Sequence, residues 1–243
     1  MSYKRFYWAL FPLLFVAIGV LLSASPALAS PLVDCNVPGD YATIGDALAD
    51  PACDVINVAS DIYPENLEID RDVTIAGAGA AATIIDGGGL GRVILITDTA
   101  TVTITDVTIT NGLIVTGAKP WGGGIYNYDG DLVVMDSIIF SNTAYSSGGM
   151  FNEEMGDATL INVDVLSNTS AYVGGGLVNG GTMYMQGGSV LGNVAERNGG
   201  GIQNEGDMDI VGVTVGMKRA RGSAGIANVD GTLRIMAATI GQN

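Results

Sequence analysis

The stretch GGGIYNYDGDLVVMDSIIFSNTA, Gly122 to Ala144, decides the fold, because the chain writes its opening phrase four more times. The phrase returns as SGGMFN at Ser147, GGGLVN at Gly174, GGGIQN at Gly199 and SAGIAN at Ser223, at intervals of 25, 27, 25 and 24 residues. A period of that size marks a stacked-repeat architecture. One unit is too small to bury its own apolar face, so neighbouring units must cover each other.

Aligned on the phrase, the repeats form columns. Ile125, Met150, Leu177, Ile202 and Ile226 make one; Leu132, Ala158, Met183, Met208 and Leu233 a second. Val134, Leu160, Met185, Ile210 and Ile235 make a third, and Phe140, Leu166, Leu191, Val215 and Ile240 a fourth. Strands hydrogen-bonded in parallel would stack such columns at about 4.8 Å per coil. The methionines fill uneven gaps in them. Two asparagine columns accompany them: Asn127, Asn152, Asn179, Asn204 and Asn228, and Asn142, Asn168 and Asn193, the latter replaced by Met217 and Gln242. Asparagine tolerates left-handed turns and bonds neighbouring backbone, so both read as turn ladders rather than ligand ladders. The glycine triplets read as corners that need positive φ and close approach between coils.

Upstream, DVINVAS, NLEIDRDVTIAG, ATIIDGGG, RVILIT and ATVTITDVTITNG alternate β-branched with polar residues, the pattern of strands buried on one face. Before them, Tyr41–Asp50 has apolar residues at spacings that suit a short helix, stopped by Pro51. Residues 1–29 read as a secretory signal: Lys4 and Arg5, an apolar run from Phe6 to Leu22, then Ala27-Leu28-Ala29 as a cleavage site. The competing reading is an uncleaved membrane anchor, for which the run is short. Residues 30–54 read as an N-terminal cap and 55–243 as the stacked coils. Cys35 and Cys53 are the two cysteines, and in an exported chain they are expected to pair.

All 25 acidic residues and 8 of the 10 basic ones follow residue 29, giving 8 − 25 = −17 for that part. Such a surface repels phosphate backbones, which excludes nucleic acid as a partner, and attracts cations.

GGGIYNYDGDLVVMDSIIFSNTA resembles the coils of right-handed parallel β-helix proteins of the pectin-lyase-like superfamily. The GG-[IL]-x-N phrase with a downstream [IVL]-x-x-N is similar to the repeats of bacterial polymorphic outer-membrane proteins. The resemblance implies an all-β solenoid of about seven coils, two before Gly122 and five after. The Tyr41–Asp50 helix, tied by Cys35–Cys53, would cover its N-terminal end. At the other end the sequence stops in mid-repeat at Asn243, and either a fragment of a longer surface protein or an uncapped last coil is expected. The superfamily holds lyases, hydrolases, esterases, adhesins and inert stalks, so the resemblance speaks for fold rather than activity.

The chain has no histidine, which removes Ser-His-Asp catalysis and the commonest zinc ligand. Asp70-Arg71-Asp72, and Asp86 with Arg92, are the local acid–base groupings of the early coils; Asp86 and Arg92 are the catalytic candidates. An acidic edge is expected where the turns after the first asparagine column stack, carrying Asp129, Asp131, Glu153, Glu154, Asp157, Glu205, Asp207, Asp209 and Asp230. Carboxylates suit Ca²⁺; Glu153, Glu154 and Asp157 are the candidate ligands for weak binding, and no other cofactor is expected. A cationic loop of Lys218, Arg219 and Arg221, and the corner aromatics Trp121, Tyr126, Tyr128, Tyr145 and Tyr172, could contact a glycan or partner. The expected role is a secreted or cell-surface, non-catalytic β-helix scaffold that adheres to polysaccharide or to a host or neighbouring cell. The alternative is a lyase or glycoside hydrolase acting on acidic polysaccharide.

Overall fold

The computed structural model describes residues 32–216 and 219–241. Residues 1–31, with the expected signal at 1–29, and Met217, Lys218, Gln242 and Asn243 lie outside them. The described chain is a right-handed parallel β-helix of about eight turns, one more than the repeat count suggested. The additional turn lies before Gly122, where the coils carry no GG-x-x-N phrase to count.

One turn runs Asp131–Met135, Ile138–Phe140, Thr143–Ala144 and Met150–Asn152. Each strand pairs in parallel with its counterparts in neighbouring coils, producing sheets of nine, eight, four and seven strands. The first three columns hold in register. Ile125 pairs with Met150, Leu132 with Ala158 and Val134 with Leu160, and the third column extends back through Ile104, Ile75 and Ile56 to Cys35. From Ile56 to Ile210 this column is completely buried. At roughly 1.5–3 kcal/mol per buried aliphatic side chain, these columns are the main cohesive element.

The fourth column, in the eight-stranded sheet, holds at Val215 and Ile240, which pair, and is corrected in its first three members. Ile139, Val165 and Val190 continue the interior ridge to Val215, and Phe140, Leu166 and Leu191 pair one position along, on the outer face. A one-residue slip exchanges the two faces of a strand. Ile138-Ile139-Phe140 is apolar throughout, so alternation gave no warning there.

The asparagine columns are ladders, though not of left-handed residues. Asn127 Nδ2 donates to Asn152 Oδ1 at 2.8 Å, Asn152 to Asn179 at 2.9 Å, Asn179 to Asn204 at 2.9 Å and Asn204 to Asn228 at 2.7 Å. In the second ladder Asn142 and Asn168 each donate to the Oδ1 of the next member at 3.1 Å. Positive φ falls on other residues: Asp106, Asp136 and Asn162 at one corner, Ser141 and Ser167 at another. The first glycine of the triplets does take positive φ, about +60° at Gly122, Gly174 and Gly199, with Ser147 at +54° in the same place.

The seven-stranded sheet is buried on both faces in several coils, as at Tyr126, Val178 and Gln203.

The helix expected over Tyr41–Asp50 is shorter, Ile44–Leu48, and packs against the strands Asp34–Val37, Val55–Val58 and Leu67–Ile69. Thr43 caps it through Asp46 N at 3.0 Å, and Glu65 accepts from Ile44 N and Gly45 N. Arg71, expected in an acid–base grouping, instead donates to the carbonyls of Ala47, Leu48, Asp50 and Cys53. Cys35 and Cys53 form a disulfide.

Candidate functional site

The turns after the first asparagine ladder differ in length. Between the ladder and the next strand lie Tyr128–Gly130, then Glu153–Gly156, then only Gly180 and Gly181, then Glu205 and Gly206. Nothing in the register changes, because the ladder and the strands on either side keep their pairing. The four-residue turn therefore overhangs a two-residue turn without side chains, and the step is a cleft. Gly181 is obligatory there: a Cβ would lie 2.2 Å from Gly156 O.

The cleft measures about 350 Å³ and is lined by Trp121, Phe151, Glu153, Glu154, Gly180 and Glu205. Trp121 and Phe151 stack with centroids 4.9 Å apart and planes 16° from parallel. Tyr126 meets both rings edge-on at 6.3 and 5.8 Å. A second groove of about 340 Å³ continues from Glu154 and Glu205 past Asp207 to Asp230. The acidic turns thus share one edge, and two of the anticipated residues, Glu153 and Glu154, form the wall of the step.

Two cations stand behind the platform. Arg92 lies 4.6 Å over the Tyr126 ring and donates to the carbonyls of Lys119 and Trp121 at 2.9 and 3.1 Å. Burial pulls its pKa below the ordinary guanidinium value, and its Nε is buried without a partner. Lys119 Nζ sits 4.3 Å from the Tyr128 ring centre and 2.9 Å from Glu153 Oε1. Tyr126 Oη also donates to Glu153.

Trp121, Tyr126 and Tyr128 are therefore brought together. Asp86 and Arg92 are not: Asp86 accepts from Gly88 N and Asn111 Nδ2, both at 2.8 Å, and holds its own turn. Among the described residues no three acidic side chains converge enough to hold a metal ion; Asp157 lies in a strand beside Asp131, away from the cleft. Arg221 reaches Glu196 at 3.4 Å with both side chains exposed, and Arg219 bridges Val194 through backbone. Tyr145 and Tyr172 stack at 5.5 Å on another corner, with Arg197 4.8 Å over Tyr172. A larger cavity of about 480 Å³ lies under the cap helix, where the Glu65 carboxylate is engaged by helix amides.

Phe151 and Lys119 were not singled out from sequence. Phe151 is one coil from Tyr126 in the phrase alignment, GGGIYN over SGGMFN, so its partner was readable there. Lys119 precedes the phrase in a stretch with no counterpart to align.

No family model matches the chain, and no curated protein matches it.

Proposed function

We propose that this chain is a secreted or cell-surface, non-catalytic β-helix module that contacts a glycan at the step between the Glu153–Gly156 and Gly180–Gly181 turns. The observation that carries the reading is the open cleft with the Trp121–Phe151 platform on one side and Glu153, Glu154 and Glu205 around it. Aromatic faces bind the apolar face of a sugar ring, and acidic groups accept its hydroxyls. The scaffold supports such a role because its rigid columns hold the platform while the turns vary. Kinship with the pectin-lyase-like superfamily, and with the repeats of polymorphic outer-membrane proteins, belongs to the same proposal and rests on the GG-[IL]-x-N phrase. Export is supported by the Cys35–Cys53 disulfide and by residues 1–29.

Catalysis on acidic polysaccharide through Asp86 and Arg92 gains no support from geometry. Each side chain is committed to neighbouring groups, and the cleft is acidic. A glycan array probed with the full chain and with Trp121→Ala tests the reading. Binding that disappears in the variant supports it; a blank array, with no cell adhesion, removes it.

A further inference from the structure

The strongest clue to the ligand is a group already in the site. The ammonium of Lys119 lies 4.3 Å from the ring centre of Tyr128, 5.6 Å from that of Trp121 and 6.0 Å from that of Tyr126, and 2.9 Å from Glu153 Oε1. Three aromatic rings and one carboxylate surround a single cation, the arrangement that recognises ammonium groups. We infer that this box is an ammonium-binding site whose present occupant is the chain's own lysine, and that the glycan of the cleft is one bearing free amino groups. The inference rests on the glycan reading above and names the ligand class of that site.

Four observations bear on it. The box and the cleft share Trp121 and Glu153, so an amine in the box places its sugar ring against the Trp121–Phe151 platform. The Lys119 side chain is 41 % exposed, and its backbone sits at φ +51° directly before Pro120. That conformation is disfavoured for a non-glycine residue, and a following proline restricts it further. Exchange of one ammonium for another leaves Glu153 paired throughout, so no uncompensated charge is created during the swap. Beyond the box, Glu154, Glu205, Asp207 and Asp230 line the groove, and among the described residues none of them is in a salt bridge. Further amines along a polymer meet a fresh carboxylate coil by coil. Carboxylates alone would not single out this ligand; the lysine already bound does.

The test uses the full chain with Trp8→Phe, which leaves Trp121 as the one tryptophan. Its fluorescence is titrated with β-1,4-linked glucosamine hexamer and with the N-acetylated hexamer, at mildly acidic pH where the free amines are charged. The free-amine oligomer should bind about tenfold tighter, with salt weakening it. Lys119→Gly removes the internal competitor and suits φ +51°, so it should tighten amine binding several-fold; Lys119→Met should do the same. Glu153→Gln should weaken it. Circular dichroism establishes that each variant is folded, and if neither lysine variant folds, the amine preference of the parent chain decides. Equal affinity for both oligomers, with Trp121 still responding, overturns the amine inference and leaves the glycan reading standing. Tighter amine binding that both lysine variants leave unchanged also overturns it. Binding of neither oligomer, together with a blank glycan array, overturns both.

Discussion

Asn152 offers the sharpest test of what holds the coils together. Its side chain is completely buried. Its Nδ2 donates to Gly156 O at 2.8 Å, Asn179 Oδ1 at 2.9 Å and Thr182 O at 3.1 Å, and its Oδ1 accepts from Asn127 at 2.8 Å. Asn152→Ala deletes all four contacts and leaves their partners in a site that water cannot enter. The two N–H groups of Nδ2 are shared among three acceptors, so the side chain makes three hydrogen bonds' worth of contact; at about 1 kcal/mol net each, the loss should be about 3 kcal/mol. Asn228 is the internal control. It is the last member of the same ladder among the described residues and it is exposed; its Nδ2 donates to Gly231 O at 2.8 Å and its Oδ1 accepts from Asn204 Nδ2 at 2.7 Å. Water can reach both groups, so Asn228→Ala should cost about 1 kcal/mol or less. Urea unfolding followed by circular dichroism measures both. Stacked repeats can lose two-state behaviour, so the comparison holds only where the variants share one m-value. Equal costs for the two positions would refute the reasoning, because the ladder would then be surface decoration. Asn152→Asp should be worse than alanine, since a second acceptor would face Gly156 O and Thr182 O.

Three other predictions use the same assay or a simple variation of it. Ile139→Ala and Leu160→Ala should each cost about 2–5 kcal/mol and Phe140→Ala under about 1, since only the first two face the interior; a reversed order for Ile139 and Phe140 would restore the uncorrected column. Replacing Cys35 and Cys53 together by serine should cost about 3 kcal/mol for the 18-residue separation, seen as a lower urea midpoint. Tyr41 Oη donates to Asp50 at 2.5 Å, and that bond foremost, then the Ala52 amide, holds the Asp50 carboxyl below its ordinary value. A depressed carboxyl stabilises the fold above its unfolded pKa and loses the effect as pH falls through the folded one. Stability measured below about pH 4 should therefore fall less steeply in Asp50→Asn than in the parent chain.

The repeat made three interior columns and both asparagine ladders readable, because the phrase carries one sheet and its spacing carries the next. In the eight-stranded sheet Phe140, Leu166 and Leu191 lie one residue past the interior ridge, while Val215 and Ile240 pair on it as aligned. Ile138-Ile139-Phe140 is apolar throughout, and Val165-Leu166 and Val190-Leu191 are adjacent apolar pairs, so periodicity has little to grip in those coils. The left-handed corners were assigned to asparagine on propensity, while the ladder needs those side chains inside and passes the turn to Asp136, Asn162 and Ser141. The cleft was half legible. The longer turn after Asn152 and the bare Gly180-Gly181 are both visible in the sequence, yet the step exists only once register fixes which turn lies over which. The stacking of Trp121 on Phe151 joins side chains from adjacent coils, and nothing local encodes it.

The hydrogen bonds between coils run along the stack, while the covalent chain runs around it. A pull along the axis is therefore carried by non-covalent links alone, apart from the one covalent tie at the cap. A coil bonded to a neighbour on one side alone would peel before one held on both sides. Each 25-residue coil that peels would release roughly 80–90 Å of chain. A molecule of this build, fixed at one end to a surface and holding a ligand at its flank, would lengthen in steps under load instead of letting go at once.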